Sequence, residues 1–222
     1  MPLAVWGEGA KQEDSLQFVA LKDYSIQDIA LAPDGRILAA THAGVWEVSG
    51  DGSKASPLTG AGLPRPTEKC FMGQVVVNSK GAVFATVGSG GHGGTDGVFR
   101  LNPGSGSWEQ VGKETLVHAK SREAVVALAV LPDDTLFCSV QNVSIYAGES
   151  RLAKLFRSTS AGDSWEDTSD DESRCYYYGP IVAGPQRQMW MIAGEHDPFD
   201  PNNCWMLVTD DWRATPIKGS SG

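Results

Sequence analysis

The segment IQDIALAPDGRILAAT, from Ile26 to Thr41, decides the fold because its pattern recurs three times further along the chain. The copies are GQVVVNSKGAVFATV at 73–87, VVALAVLPDDTLFCSV at 125–140 and YGPIVAGPQRQMWMIA at 178–193. Each copy consists of an apolar run, a tight polar turn and a second apolar run. The runs are short, rich in β-branched and aromatic residues and flanked by turn residues, so each copy predicts a pair of β-strands.

Two more short runs complete each unit. The third run lies at 45–49, 98–102, 154–158 and 204–209. The fourth run opens with a tryptophan in the last three units, at Trp108, Trp165 and Trp212, and in the first unit it is only Ala55 to Leu58. Four strands per unit, repeated four times at a period of about fifty residues, predict an all-β fold: a small β-propeller of about four four-stranded antiparallel blades.

A β-sandwich is the alternative, because it also contains many short strands. It does not account for the recurrence of the same four-part unit, so we favour the propeller. We expect residues 1–218 to form a single domain, with 219–222 (Gly-Ser-Ser-Gly) as a flexible tail.

Charge and hydropathy exclude several functional classes. The formal net charge is −9 and no cluster of Lys and Arg is present, which argues against a nucleic-acid partner. No run approaches the roughly 18 apolar residues of a membrane helix, so we expect no membrane partner. Met1 to Trp6 lack the features of a signal peptide, and we expect a cytoplasmic protein, although a mature secreted form without its signal would look the same.

The four cysteines are widely separated and form no C-x-x-C pair of the kind that binds zinc. Cys138 follows Leu136 and Phe137 in an apolar run. We therefore predict that Cys138 is a buried, unpaired thiol.

One hairpin has a recognisable motif. The segment STSAGDSW, from Ser158 to Trp165, resembles the Asp-box of BNR-repeat propellers such as the sialidases, which reads Ser/Thr-x-Asp-x-Gly-x-Thr/Ser-Trp. Ser158, Gly162, Ser164 and Trp165 match that pattern, and Ser160 stands where the family has Asp.

The resemblance implies a structural role for this hairpin. Small polar side chains satisfy backbone groups of the turn, Gly162 takes a positive φ, and Trp165 lies largely buried between two blades. In that family the box lies away from the ligand face. The motif therefore predicts the fold and not a sialidase activity.

The lengths of the connections predict which face binds. In an up-and-down blade, successive connections alternate between two ends. One end has only tight turns, whereas the other collects the long connections 88–97, 141–153 and 194–203 and the links 60–72, 112–124 and 170–177. Long loops on a rigid scaffold are where binding residues gather, so we expect the site on this long-loop face.

Three of these connections contain the candidate binding residues. The first is the connection 88–97, which is rich in glycine and contains one imidazole and one carboxylate. It lacks the following helix and the Lys of a phosphate-binding loop. The link 170–177 combines charges with tyrosines, and the segment 195–200 combines three carboxylates with an imidazole; solvated loops and Asx-Pro turns would explain both without a ligand. The candidates are His92, Asp96, Glu172, Arg174, Tyr176, Tyr177, Glu195, His196, Asp197 and Asp200.

No arrangement typical of nucleophilic catalysis is present, and we assign no catalytic residue. A sialidase-like site would need an arginine triad, a Tyr nucleophile and more blades than are predicted here. We therefore lean towards a non-catalytic binding propeller whose long-loop face contacts a protein with a basic surface. The alternatives are a lectin-like glycan-binding module and a sialidase-like glycoside hydrolase. We expect no cofactor or metal, with calcium at the carboxylates of 195–200 as the alternative.

Overall fold

The computed structural model describes residues 21, 23–58, 60–64, 71–88, 97–116, 123–142, 154–168, 177–184, 188–194, 204–208 and 214–217. These residues form sixteen strands and one short helix, α1 (Lys113–Leu116). No helix within these ranges is long and apolar enough to cross a membrane.

The strands form four antiparallel sheets of four strands each, and in every sheet the strands lie side by side in chain order. Blade 1 consists of β1 (Ile26–Leu31), β2 (Ile37–Thr41), β3 (Gly44–Val48) and β4 (Ala55–Pro57). Blade 2 consists of β5 (Phe71–Val77), β6 (Val83–Gly88), β7 (Gly97–Asn102) and β8 (Ser107–Val111). Blade 3 consists of β9 (Glu123–Val130), β10 (Leu136–Asn142), β11 (Lys154–Ser158) and β12 (Glu166–Asp167). Blade 4 consists of β13 (Tyr177–Ala183), β14 (Met189–Gly194), β15 (Cys204–Val208) and β16 (Ala214–Ile217).

The first strands of the blades are the inner ones. β1 contacts β5, β5 contacts β9 and β9 contacts β13, so consecutive blades pack face to face. Four meandering sheets packed in this way are the blades of a β-propeller, and the predicted fold is confirmed.

Three apolar clusters hold the blades together. Side chains alternate between the two faces of a strand, so blades 2 and 3 each turn one apolar face to the preceding blade and the other to the following blade. The blade 1–2 junction includes Leu38, Val45, Val75, Val83 and Phe99. The blade 2–3 junction includes Phe84, Val98, Leu128, Leu136 and Phe156. The blade 3–4 junction includes Ala127, Phe137, Leu155, Ile181 and Met189.

Cys138 lies in the blade 2–3 cluster and is 0% exposed. It is a free cysteine, and burial raises the pKa of its thiol, which keeps the thiol neutral. The prediction of a buried, unpaired thiol is confirmed.

Polar ties join the inner strands of neighbouring blades. The Val75 N–H of β5 donates to Asp28 Oδ2 of blade 1 at 3.0 Å. At the matching position of β9, the Leu128 N–H donates to Gln74 Oε1 of blade 2 at 2.6 Å. Both inner strands are edge strands of their sheets, and the preceding blade supplies an acceptor for a backbone donor at that edge.

The hairpin from Ser158 to Trp165 is held by its own serines. The Gly162 N–H donates to Ser158 Oγ at 2.9 Å, and the Ser164 N–H donates to Ser160 Oγ at 2.9 Å. The Ser160 hydroxyl thus accepts a turn N–H from the position where the Asp-box has a carboxylate. Gly162 has φ +92°, as predicted.

Trp165 closes this hairpin against blade 2. Its Nε1–H donates to the Gly162 carbonyl at 2.9 Å, and a Cβ on Gly112 would lie only 2.5 Å from its ring. The side chain packs on the blade 2–3 cluster, which is the predicted blade-to-blade contact. The side chain is partly buried, with one edge of the ring left towards solvent at the outer strand of the sheet.

Candidate functional site

Most residues of the predicted site lie outside the described residues. These are His92, Asp96, Glu172, Arg174, Tyr176, Glu195, His196, Asp197 and Asp200. Tyr177 is the first residue of β13, and its backbone pairs with Gly194 at the end of β14. The binding role of these residues, and of calcium among them, stays a prediction.

The described strand ends show how the connections are distributed. Tyr177 pairs with Gly194 in blade 4, and Phe71 pairs with Gly88 in blade 2, so each inner strand begins where the second strand ends. The longer connections therefore start and finish at one end of the sheets. The opposite end contains the tight turns between β1 and β2 and between β5 and β6.

A cleft of about 480 Å³ opens at this tight-turn end, where the four inner strands finish. All four blades contribute to it. Its lining residues are Leu31, Ala32, Pro33, Val77, Asn78, Ser79, Val130, Leu131, Pro132, Ala183 and Gly184. Because the last apolar residue of each inner strand faces the same space, the cleft is predominantly apolar.

The floor and rim of the cleft differ in exposure. Leu131 is 2% exposed and Asn78 is 4% exposed, whereas Leu31 is 72% exposed at the rim. The Asn78 amide oxygen accepts the N–H groups of Lys80 at 3.1 Å and of Ala82 at 2.8 Å. The amide oxygen of Asn78 therefore stabilises the turn. Leu31, at the rim, remains in contact with solvent.

Carboxylates lie on the turns beside the cleft. Asp134 accepts from the Ser79 N–H at 2.6 Å and from the Ser79 hydroxyl at 2.8 Å, which joins the turns of blades 2 and 3. Lys80 Nζ lies 3.9 Å from Asp134. Asp134 has φ +68°, whereas the matching turns have Gly35 at +85° and Gly81 at +80°.

The turn of blade 1 has a second acidic group. Asp34 accepts from Arg36 Nε at 2.7 Å, and this hydrogen bond is the main reason why the pKa of the Asp34 carboxyl is lowered. The carboxylate is therefore ionised well below neutral pH. Asp34, Asp133 and Asp134 thus border the cleft together with two cations, Arg36 beside Asp34 and Lys80 beside Asp134.

Among the residues that the structure describes, the lining has no ionisable side chain. In the part of the chain that the structure describes, no three His, Cys, Asp or Glu side chains are grouped as a metal site. The cleft as described is suited to holding an apolar group.

Sequence reasoning missed this cleft because it ranked the connections by length. The signal was present in the aligned repeats. Leu31, Val77, Val130 and Ala183 are the last residues of the four inner strands, and they occupy the same position of the repeat. Four apolar residues at one repeat position converge when the repeats surround an axis.

No family model matches the chain, and no curated protein matches it. The resemblance to the Asp-box family is therefore confirmed only at the level of the propeller fold.

Solved structures match the fold. Streptogramin B lyase aligns with a TM-score of 0.56 at 13% identity, over 89% of this chain and 55% of that one. A gluconolactonase from Xanthomonas campestris aligns with a TM-score of 0.56 at 14% identity, over 87% of this chain and 62% of that one. PorZ, a surface component of the type-IX secretion system of Porphyromonas gingivalis, aligns with a TM-score of 0.56 at 16% identity, over 87% and 27%.

At such low identity these similarities establish the β-propeller architecture alone. The chain spans less than two thirds of the length of each of these three proteins. The same fold serves enzymes and a secretion-system component among them, so function has to be argued from the site.

Proposed function

We propose that this chain is a non-catalytic binding propeller whose partner is a protein with a basic surface. The observation that carries the proposal is the cleft at the ends of the four inner strands, whose described lining is predominantly apolar. Such a cleft takes an apolar side chain of a partner as an anchor.

Charge around the cleft supports a basic partner. Three carboxylates, Asp34, Asp133 and Asp134, lie on the turns that border the described lining, beside two cations, Arg36 and Lys80. The whole chain has a net charge of −9. Carboxylates at the rim of an apolar site favour a partner with Lys or Arg beside its anchor, mainly through faster association.

The lining disfavours the glycan alternative at this cleft. Sugar-binding sites use aromatic faces against the sugar ring, and none of the lining residues that the structure describes is aromatic. The long-loop face stays the competing location, because Glu195 and Asp197 lie outside the described residues. One experiment separates the two faces.

The experiment uses a fluorescent peptide with one Leu between two pairs of Lys, and two control peptides. The first control replaces the Leu with Ser and the second replaces the Lys with Glu. We expect fluorescence anisotropy to show binding of the peptide that has both Leu and Lys, and no binding of either control. This binding should weaken as the salt concentration rises. Losing the buried Leu costs about 1.5–3 kcal/mol, which corresponds to a roughly tenfold or larger loss of affinity.

Two matched double variants then assign the face. Asp34→Lys with Asp133→Lys changes the cleft rim, and Glu195→Lys with Asp197→Lys makes the same charge change in the long-loop segment. We expect the cleft-rim variant to bind the peptide more weakly and with a smaller dependence on salt. We expect the long-loop variant to bind it as the wild type does. The reverse result would place the site on the long-loop face, and no binding of any peptide at low salt would overturn the proposal.

A further inference from the structure

Two apolar sheet faces lack, among the residues that the structure describes, the partner that equivalent faces have. The first belongs to blade 1. Ile29 occupies the repeat position of Val75, Leu128 and Ile181, which lie in the three blade junctions and are 1%, 1% and 5% exposed. Ile29 is 60% exposed.

The second face belongs to blade 4. Trp190 occupies the repeat position of Leu38, Phe84 and Phe137, and each of these three residues is 0% exposed within a junction. Trp190 is 38% exposed and its strand neighbour Val182 is 60% exposed. The register pairs Val182 with Trp190, so both lie on one face of the sheet.

These faces are the two complementary halves of one blade junction. In each internal junction, the face that matches Trp190 packs on the face that matches Ile29. The blade 1 face is uncharged as well: its strand positions are Ile29, Leu31, Ile37, Ala39, Trp46 and Val48. Tyr24 covers Trp46, with ring centroids 4.7 Å apart, and Ile29 remains open.

We propose that a second copy of this chain covers both faces, with the Trp190 face of one copy packed on the Ile29 face of the other. The internal junctions show that these two kinds of face fit together, and every copy has one of each. Head-to-tail contacts of this kind close into a ring when the rotation permits. Burial of exposed aliphatic and aromatic side chains drives the association.

The first test is the mass of the chain in solution, measured by light scattering after size exclusion. We expect two chains per particle for the wild type and one for either Ile29→Asp or Trp190→Asp. Thr115→Asp, an exposed position on α1, is the control that adds the same charge elsewhere and keeps the dimer. Circular dichroism checks that each variant keeps its strands, which is expected because both substituted side chains are exposed.

Mixing the two monomeric variants tests the head-to-tail arrangement. The Ile29→Asp chain keeps an intact Trp190 face and the Trp190→Asp chain keeps an intact Ile29 face, so one junction can form only between them. We expect the mixture to form particles of two chains. Their concentration should be at least tenfold higher than in a solution of either variant alone at the same total protein concentration. A wild type of one chain at every concentration, or a mixture that stays monomeric, overturns the proposal.

Discussion

The blade 2–3 junction and the blade 3–4 junction are built on the same repeat but are held differently. Between blades 2 and 3, the apolar cluster is supplemented by Gln74 accepting the Leu128 N–H and by Asp134 accepting from Ser79. Arg100 of blade 2 also donates to the Ala161 carbonyl and pairs with Asp163 at 2.9 Å. Apolar packing and directional bonds therefore act together at this junction.

Between blades 3 and 4, the repeat position of Gln74 is Ala127, whose methyl group cannot accept a hydrogen bond. This junction depends on a cluster of Ala127, Phe137, Leu155 and Met189 with their neighbours. Apolar burial is thus the part that the two junctions share. Hydrogen bonds then fix the orientation of one blade against the next, because they are directional and burial is not.

The largest expected effect tests the shared apolar part. Phe84 and Phe137 occupy the same repeat position in the two junctions and are both 0% exposed. Replacing either with Ala should cost about 3–5 kcal/mol in unfolding free energy, because a buried ring is removed and a cavity remains. Urea denaturation of the Phe84→Ala and Phe137→Ala variants measures the two losses of unfolding free energy. A much smaller loss for Phe84 would mean that the polar ties dominate the blade 2–3 junction.

Removal of the Trp165 side chain should have the next largest effect. Trp165 packs on Gly112 and the blade 2–3 cluster and is partly buried. Trp165→Ala should therefore cost about 2–3 kcal/mol, below the value for a fully buried ring. The melting temperature reports it, and a change of only a degree or two would show that the ring contributes little to the junction.

The polar ties should each contribute less. Gln74→Ala leaves the Leu128 N–H without its acceptor and should cost about 1–2 kcal/mol. Gln74→Glu keeps an acceptor oxygen and is the control. Hydrogen exchange of the Leu128 amide reports the tie directly: exchange should accelerate in the Ala variant, and unchanged exchange would contradict the role of Gln74.

The smallest effect lies outside both junctions and depends on pH. Hydrogen bonds from the Ser49 hydroxyl, and then from Ser53, lower the pKa of Asp51 to about 2. A lowered pKa in the folded state means that the carboxylate stabilises the fold at neutral pH and that this contribution is lost as the pH falls from about 4 to 2. The melting temperatures of wild type and Asp51→Asn should converge over that range. A constant difference would exclude Asp51 ionisation as its cause.

The fold was predictable because strand pairing within a blade is local. The segment Ile26 to Thr41 shows both strands and the turn in its composition, and β1 and β2 lie within it. The position of Gly162 followed from the motif, since a turn at positive φ favours glycine.

The junctions and the cleft were not predictable in the same way. The tie from Asp28 to Val75 joins residues 47 positions apart and depends on how one blade is oriented on the next. Ile29 and Val75 have the same apolar character in sequence, yet one is exposed and the other is buried. Only the arrangement of whole blades distinguishes them, and that arrangement also creates the cleft.

The meander within each blade has a consequence for how the chain folds. Every strand pairs with its neighbours in sequence, so all pairing within a blade closes over about fifty residues and has a low contact order for an all-β protein. Blades can therefore form one after another during synthesis, each while the following segment is still being made. Until the next blade arrives, the newest sheet displays an apolar face to the solvent. The interval between the completion of successive blades is then the period in which misassembly competes with folding.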